Sequence, residues 1–311
     1  MAEPDFLNDE RRVWLFLALL GAATLIGLKA AGFGLIWTSL AGPIAGGAGL
    51  ALLARFYRAM RPEPRLAATC AALAQMIGFT LIAAPLSYLA AGLDRPLVDD
   101  MLVRADAAIG FDWRAYLAWA DAHPAIAAVL RTSYESLLPQ LAAAVCLLGF
   151  TARFAELRRF ARAIIIAGLA TILVSAWLPA LGGYAWFGLG PIAYPHLSPA
   201  DAWQHVPDML HVRDGSLRLL SVPGLQGLIA FPSFHAALAL IFAWAFWQHR
   251  LTRWPGLALE ATVLLSTPVD GAHYLSDVLA GLAVAAAALA LARPAAAPRR
   301  IRAADPAPLP A

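Results

Sequence analysis

The sequence predicts an all-α, polytopic transmembrane helix bundle with about eight spans. Of its 311 residues, 61% are hydrophobic and only 14% are charged, and the mean hydropathy is +0.67. Soluble domains carry about 45–50% apolar and about 25% charged residues. The apolar residues also lie in long runs, near the roughly 20 residues that a helix needs to cross a bilayer. These observations exclude a soluble protein with a large core, and no basic face for nucleic acid is visible.

The apolar runs define eight predicted spans and one transmembrane domain over 13–292. The N-terminal segment, 1–12, is acidic at its start, so we expect no cleaved signal peptide and a retained first span. The tail, 293–311, is rich in Pro, Ala and Arg and is predicted to be disordered on the cytoplasmic side. The predicted spans are 13–33, 36–54, 66–92, 125–151, 162–181, 232–249, 254–270 and 272–292.

Arginine placement predicts the orientation of these spans. Alternate connections are rich in Arg, as in 55–65, 153–162 and 250–253. Because cytoplasmic connections carry an excess of Arg and Lys, both termini are predicted to be cytoplasmic. The two longest connections, 93–123 and 182–231, are then external, and each is expected to carry interfacial helices. The expected location is the bacterial inner (plasma) membrane.

Two short polar motifs begin two of the last apolar runs. The first is FPSFH, which ends at His235, and the second is HYLSD, which starts at His273. The sequence between them is long enough for one helix to cross the membrane and another to return. The predicted topology therefore brings both histidines to the external face, each near the start of a helix.

These residue types suit phosphoryl transfer. His273 and Asp277 are four residues apart, so they share a helix face, and the carboxylate can orient the imidazole as a nucleophile. His235 is placed to protonate the leaving oxygen as a general acid. Ser233 is predicted to hydrogen-bond a phosphate oxygen.

The phosphate charge needs positive partners. Two helix N-termini would direct N–H groups at the site. Arg213 and Arg218, in the second external segment, are predicted to neutralise the phosphoryl group, with Asp214 orienting one of them. Tyr134 and Glu135 are further candidates for binding substrate, although Glu135 has a surface ion pair with Arg131 as its alternative role.

A metal centre is the competing interpretation of the histidines. His196, His205 and His211 also lie in the second external segment, but their spacing is not that of a recognisable ligand set. We interpret them as ordinary loop histidines. No metal and no cofactor is expected.

The two motifs resemble the signature of the type 2 phosphatidic acid phosphatase superfamily. Pro232 to His235 matches its Pro-Ser-Gly-His element, with Phe234 in place of Gly. Ser266 and Thr267, five residues, His273, three residues and Asp277 match the last element, with Thr267 in place of Arg. These departures look most like the inositol phosphorylceramide synthase-like (inositolphosphotransferase) branch, and they indicate a catalytic core over about 125–292.

The resemblance implies a metal-independent, two-step reaction through a phosphohistidine. By position, His273 would be the nucleophile, Asp277 its orienting residue, His235 the acid and base, and Ser233 a phosphate ligand. The implied partners are a lipid phosphate substrate, a water or alcohol acceptor and the surrounding membrane lipids. Nucleic acid is not among them.

Two other classes of function stay open at this stage. A bundle of eight spans with intramembrane charges is also compatible with a transporter or channel, although transporter sites lie near the midplane. A catalytically inactive lipid-binding protein is the other alternative, because Thr267 replaces a phosphate-binding Arg. Within the enzyme class, the residues do not separate hydrolysis from transfer.

Overall fold

The computed structural model describes residues 3–190, 193–197, 200–221 and 227–293, and it confirms the all-α class. The described residues form thirteen helices and one sheet of two very short strands. The predicted disorder of the tail concerns residues that, except for Arg293, lie outside the described part of the chain.

The elements follow one another along the chain in this order: α1 Glu3–Ala30, β1 Gly34–Leu35, α2 Trp37–Ala59, α3 Pro64–Ala91, α4 Asp99–Ala108, α5 Trp113–Asp121, α6 Pro124–Glu135, α7 Leu137–Phe150, α8 Phe154–Trp177, α9 Gly183–Trp186, α10 Ala200–Asp214, β2 Leu219–Leu220, α11 Phe234–Trp247, α12 Arg253–Asp270 and α13 Leu275–Leu291.

Four of the described helices, α1, α2, α3 and α8, are long and apolar enough to cross a membrane. A fifth span is formed if α6 and α7, which meet at a bend of 53°, are taken together. The outer faces of α1 and α2 expose large apolar side chains such as Leu19 (63% exposed), Ile26 (70%) and Leu52 (67%). Water would not tolerate so continuous an apolar surface, so the protein is an integral membrane protein.

The last three predicted spans correspond to α11, α12 and α13, which have 14, 18 and 17 residues. A helix of 14 residues is about 21 Å long, which is shorter than the roughly 30 Å hydrocarbon core. The two shorter helices, α11 and α13, begin at the polar motifs. The count of eight spans stays a prediction.

The main core lies where α3, α7, α8, α11 and α13 pack together. Its buried residues are almost all apolar, and Phe160 of α8 meets Phe242 of α11 with ring centroids 5.6 Å apart. This packing fixes α11 and α13 side by side.

The first predicted external segment forms two helices, α4 and α5, as expected. Helix α4 contacts α13, and α5 contacts α6 and α12. A second apolar cluster joins α5 to the loop before α13 through Trp113, Leu117, Tyr184 and Ala272. Leu102 of α4 packs in a separate cluster with Tyr274. These two helices therefore cover the end of the bundle at which α13 begins.

The strands β1 and β2 tie the end of α1 to the segment that follows α10. They pair in parallel, with Gly34 opposite Leu219 and Leu35 opposite Leu220. The Gly34 N–H donates to the Arg218 carbonyl oxygen at 2.8 Å.

Candidate active site

The two polar motifs meet in space. Ser233 caps α11 by accepting a hydrogen bond from the Ala236 N–H at 3.2 Å, so His235 lies in the first turn of that helix. His273 lies two residues before α13, and its ring centroid is 6.4 Å from that of His235. The predicted juxtaposition of the histidines is therefore present in the structure.

Asp277 holds the ring of His273. Oδ2 of Asp277 lies 3.2 Å from Nδ1 of His273 and accepts a second hydrogen bond from the Tyr274 N–H, also at 3.2 Å. Asp277 is fully buried and His273 is 3% exposed. Because a carboxylate only accepts, it favours the tautomer with the proton on Nδ1 and leaves the Nε2 lone pair for attack. A backbone hydrogen bond with Ala230 is a further contact of this ring.

Tyr134 fixes the second histidine. Its ring stacks on that of His235, with centroids 4.2 Å apart and planes 10° from parallel. The Tyr134 hydroxyl is 3.3 Å from Nδ1 of His235, at the long end of the hydrogen-bond range, so stacking is the firmer constraint. Tyr134 lies in the last turn of α6, directly before the bend into α7.

Gly271 allows these groups to approach one another. A Cβ atom at this position would lie 2.7 Å from the Tyr134 hydroxyl oxygen and 2.8 Å from Cδ2 of His273. Both distances are too short for a real side chain. The turn between α12 and α13 thus needs glycine here for its close contacts.

Carboxylates of α4 hold the start of α13. Asp106 accepts hydrogen bonds from the Leu275 N–H at 2.9 Å and the Ser276 N–H at 2.7 Å. Asp99 accepts a hydrogen bond from the Tyr274 hydroxyl at 3.0 Å. The predicted phosphate site at the α13 N-terminus is therefore corrected, because protein carboxylates occupy the first N–H groups of this helix.

Trp113 holds the backbone of the nucleophile. Its indole Nε1 donates to the carbonyl oxygen of His273 at 3.0 Å, and its ring is 3% exposed. The ring stacks on Phe187 and meets Tyr184 edge-on. The α5 helix therefore helps to place His273.

A cavity of about 300 Å³ opens between the two histidines. Its lining includes Tyr134, His205, His235, Gly271 and His273, and none of the described lining residues is an arginine or lysine. Among the described residues, no group of three His, Cys, Asp or Glu side chains is arranged to hold a metal ion.

A second, mainly apolar cavity of about 300 Å³ adjoins the first. It lies between α3, α7, α8 and α11 and is lined by apolar side chains such as Phe79, Leu141 and Leu238. The two cavities share His235 and Ile229 in their walls. A polar pocket thus continues directly into an apolar one.

The structure does not bring the predicted arginines to this cavity. Arg213 pairs with Asp94 at 2.8 Å, and Arg218 donates to the carbonyl oxygen of Val212 at 2.7 Å and lies over the ring of Phe33. Asp94 thus holds Arg213 just after the end of α3, whereas Arg218 lies beside β1 and β2. Their predicted placement against the phosphate is corrected for this reason.

Two further predicted residues also lie elsewhere. Glu135 forms a surface ion pair with Arg131 at 2.9 Å, which is the alternative role that the sequence left open. Asp214 is exposed and accepts a hydrogen bond from the Ser216 N–H at 2.8 Å, and hydrogen bonds from Ser216 lower the pKa of Asp214. Neither is among the described residues that line the cavity.

The hydroxyl groups of Ser233 and Thr267 form hydrogen bonds with the backbone. Ser233 is fully buried as the cap of α11, and it is not among the described lining residues of the cavity. Thr267, at the position where the family pattern has Arg, donates its hydroxyl to the Val263 carbonyl oxygen at 2.7 Å. Neither hydroxyl is presented to the cavity in this structure.

Sequence reasoning missed several residues that shape the site. His205, interpreted as an ordinary loop residue, lines the cavity. Asp99, Asp106 and Trp113 act across more than 150 residues of sequence, and no local spacing reveals such contacts. The sequence signal that could have found them is the concentration of carboxylates and Trp in 93–123, a connection between predicted spans.

Comparison with protein-family models gives a match to the PAP2 superfamily over residues 100–291. Comparisons with curated proteins and with solved structures find no match. The matched region contains both histidine motifs, α5, all of α4 except Asp99, and the three histidines that line the cavity. Because the match covers more than half of the chain, the protein belongs to the PAP2 superfamily, the superfamily of the type 2 phosphatidic acid phosphatases.

Proposed function

We propose that this protein is a lipid phosphatase or phosphotransferase that works through a phosphohistidine on His273. The observation that carries the proposal is the cavity in which His273, oriented by Asp277, faces His235. Membership of the PAP2 superfamily supports phosphatase-type activity on lipid phosphates. The catalytic core is proposed to extend over about 125–292, with α4 and α5 as its cover.

The proposed reaction has two steps. Nε2 of His273 attacks phosphorus, the bond from phosphorus to the leaving oxygen breaks, and His235 gives its proton to that oxygen. In the second step, His235 takes a proton from water or an alcohol, and the resulting oxygen attacks the phosphohistidine. The bond between phosphorus and Nε2 then breaks, and His273 returns to its starting form.

The adjoining apolar cavity supports an amphiphilic substrate. A phosphate at His235 would lie at the boundary between the two cavities, with the apolar cavity beside it for a hydrocarbon chain. The apolar walls keep such a chain out of water, where its exposure would cost about 0.8 kcal/mol per CH₂ group. A water-soluble phosphate ester would gain nothing from this part of the site.

The lack of arginine and lysine in the described lining favours transfer of a phospho-headgroup. A buried charge needs a partner, and a phosphodiester carries less negative charge than a phosphomonoester. A lipid phosphodiester is therefore the easier donor for this cavity, and the acceptor would be an inositol-like alcohol. This argument supports the inositol phosphorylceramide synthase-like branch, with hydrolysis by water as the second outcome.

The proposed orientation puts both termini in the cytoplasm and the site at the outer face of the bacterial inner membrane. The arginines of the 250–253 connection lie at the opposite end of α11 from His235, which supports this assignment. Cysteine labelling tests it after Cys70 and Cys146 are replaced by Ala. An impermeant maleimide should label Ala108→Cys in intact cells, and Leu251→Cys only after the cells are opened. The reverse pattern would refute the orientation.

Turnover of a lipid panel tests the chemistry. The purified protein is offered phosphomonoesters and phosphodiesters of lipids, with and without inositol and with and without chelator. The parent should turn over at least one of them in chelator, and substrate-dependent ³²P should be recovered on a histidine. His273→Ala should abolish both signals, whereas the exposed control His123→Ala should keep them.

Each alternative class gives a different result in this assay. Full activity of His273→Ala would refute the assignment of the nucleophile. Activity lost in chelator would refute the metal-independent mechanism. Transport by His273→Ala, with no labelling of the parent, would indicate a transporter, and lipid binding without turnover would indicate an inactive lipid-binding protein.

A further inference from the structure

A third histidine, His205, lines the same cavity as His235 and His273. It comes from α10, in the second long connection, and is far from both motifs in sequence. Its ring is partly buried, and Nε2 is shielded from solvent. The two-histidine reaction described above leaves this side chain without a role.

The tautomer of His205 follows from its hydrogen bonds. The backbone of Gly227 is hydrogen-bonded to the ring. Among the residues that the structure describes, Nε2 has no hydrogen-bond partner, so the bond to Gly227 belongs to Nδ1. This bond raises the pKa of His205, as a carbonyl oxygen that accepts from a ring N–H does, so Nδ1 carries the proton and Nε2 keeps a lone pair.

The ring stays neutral at physiological pH. Burial and, to a smaller extent, the nearby His273 lower the pKa of His205 to about 4. A neutral imidazole with its proton on Nδ1 offers only an acceptor at Nε2. Such an atom repels an unprotonated phosphate oxygen, but it can accept a hydrogen bond from a hydroxyl group.

We propose that Nε2 of His205 accepts a hydrogen bond from the acceptor hydroxyl, of water or an alcohol, and positions it for attack on the phosphohistidine. The inference rests on the proposed function and assigns the acceptor side of that same site. His235 takes the proton that the hydroxyl loses, and His205 holds the oxygen in line with the bond between phosphorus and Nε2 of His273. His205 exchanges no proton in this step, so it is a binding residue for the acceptor.

The test separates the two steps in His205→Phe. Formation of the ³²P-labelled histidine measures the first step, and loss of the label after addition of water or inositol measures the second. Labelling should proceed within about twofold of the parent, whereas discharge should slow about tenfold, in keeping with loss of one hydrogen bond. His205→Gln, whose amide oxygen still accepts, should recover much of the discharge rate.

Matched controls distinguish this role from a structural one. His211→Phe changes an exposed histidine on the same helix and should leave both steps unchanged. Equal slowing of both steps in His205→Phe, or slowing of labelling alone, would overturn the proposal. If His205→Phe does not fold, His205→Leu, which also lacks an acceptor, is measured in the same way, and an unchanged discharge rate in that variant would refute the role. A parent that forms no phosphohistidine would instead refute the proposed function itself.

Discussion

The indole Nε1 of Trp113 donates a hydrogen bond of 3.0 Å to the carbonyl oxygen of His273. This contact joins α5 to the residue proposed as the nucleophile. Trp113→Phe keeps an aromatic ring but leaves that buried carbonyl without its donor, which costs about 1–3 kcal/mol. We expect a lower melting temperature and a clear drop in kcat, measured on the substrate that the lipid panel identifies.

Tyr184→Phe is the matched control for Trp113→Phe. It removes a buried hydrogen bond from the same cluster, from the Tyr184 hydroxyl to the Val269 carbonyl oxygen at 3.0 Å, without touching His273. Its melting temperature should fall while kcat is kept. If the two variants lost kcat in proportion to their loss of stability, Trp113 would have no specific role in placing His273.

The second prediction concerns Asp106, which accepts hydrogen bonds from two backbone N–H groups in the first turn of α13. Asp106→Ala leaves both groups without this acceptor, and loss of a helix cap costs about 0.5–2 kcal/mol. We expect a lower melting temperature and reduced turnover, because His273 directly precedes this turn. Asp100→Ala, which removes an exposed carboxylate paired with Arg104 on the same helix, should change neither quantity. Identical melting of the two variants would contradict the capping role.

The local part of the site was predictable from sequence, since it depends on regular geometry. The spacing predicts the contact between His273 and Asp277, although His273 lies in the loop before α13 and not on a shared helix face. The length of sequence between the motifs, enough for one helix to cross the membrane and another to return, predicts that His235 and His273 meet. The all-α class follows from the long apolar runs. These predictions need no knowledge of distant contacts.

The rest of the site depends on contacts between distant segments. Arg213 pairs with Asp94, which lies more than 100 residues earlier, and this partner is not evident from any local pattern. The bend between α6 and α7 brings Tyr134 onto His235, although the sequence predicts one continuous span there. The same kind of long-range packing brings His205 into the cavity.

Close packing at Gly281 gives a third prediction. A Cβ atom at this position in α13 would lie 2.2 Å from the carbonyl oxygen of Ser233, the cap of α11. Gly281→Ala must therefore separate the two helices that carry the histidines, and overpacking of this kind costs about 1–3 kcal/mol. We expect a lower melting temperature and a large loss of turnover.

Gly46→Ala is the control for Gly281→Ala. Gly46 also lies inside a helix, α2, but a Cβ atom there would have no neighbour within 4 Å. Replacement of glycine by alanine in an open helical position stabilises a protein by about 0.4–1 kcal/mol. A thermal shift of the same sign in both variants would show that the contact between Gly281 and Ser233 is not tight.

The neutral state of His205 predicts a pH dependence of stability. Burial, with a smaller contribution from His273, lowers the pKa of His205 from 6.5 in the unfolded chain to about 4 in the folded protein, and contacts with Gly227 and Asp208 oppose this shift. Between these two values the unfolded chain binds more protons, so folding is favoured less as the pH falls from about 6.5 to about 4. The contribution of this one residue at the low end is about 3 kcal/mol.

Thermal unfolding in detergent at a series of pH values measures this effect. The melting temperature of the parent should fall more steeply below pH 6.5 than that of His205→Gln, which has no titrating group at this position. His211→Gln removes an exposed histidine from the same helix and should follow the parent curve. Parallel curves for the parent and His205→Gln would mean that His205 keeps its ordinary pKa in the folded protein. His205 would then be charged over part of this range and could bind a phosphate oxygen. The same measurement therefore distinguishes a role in binding the acceptor hydroxyl from a role in binding the phosphate.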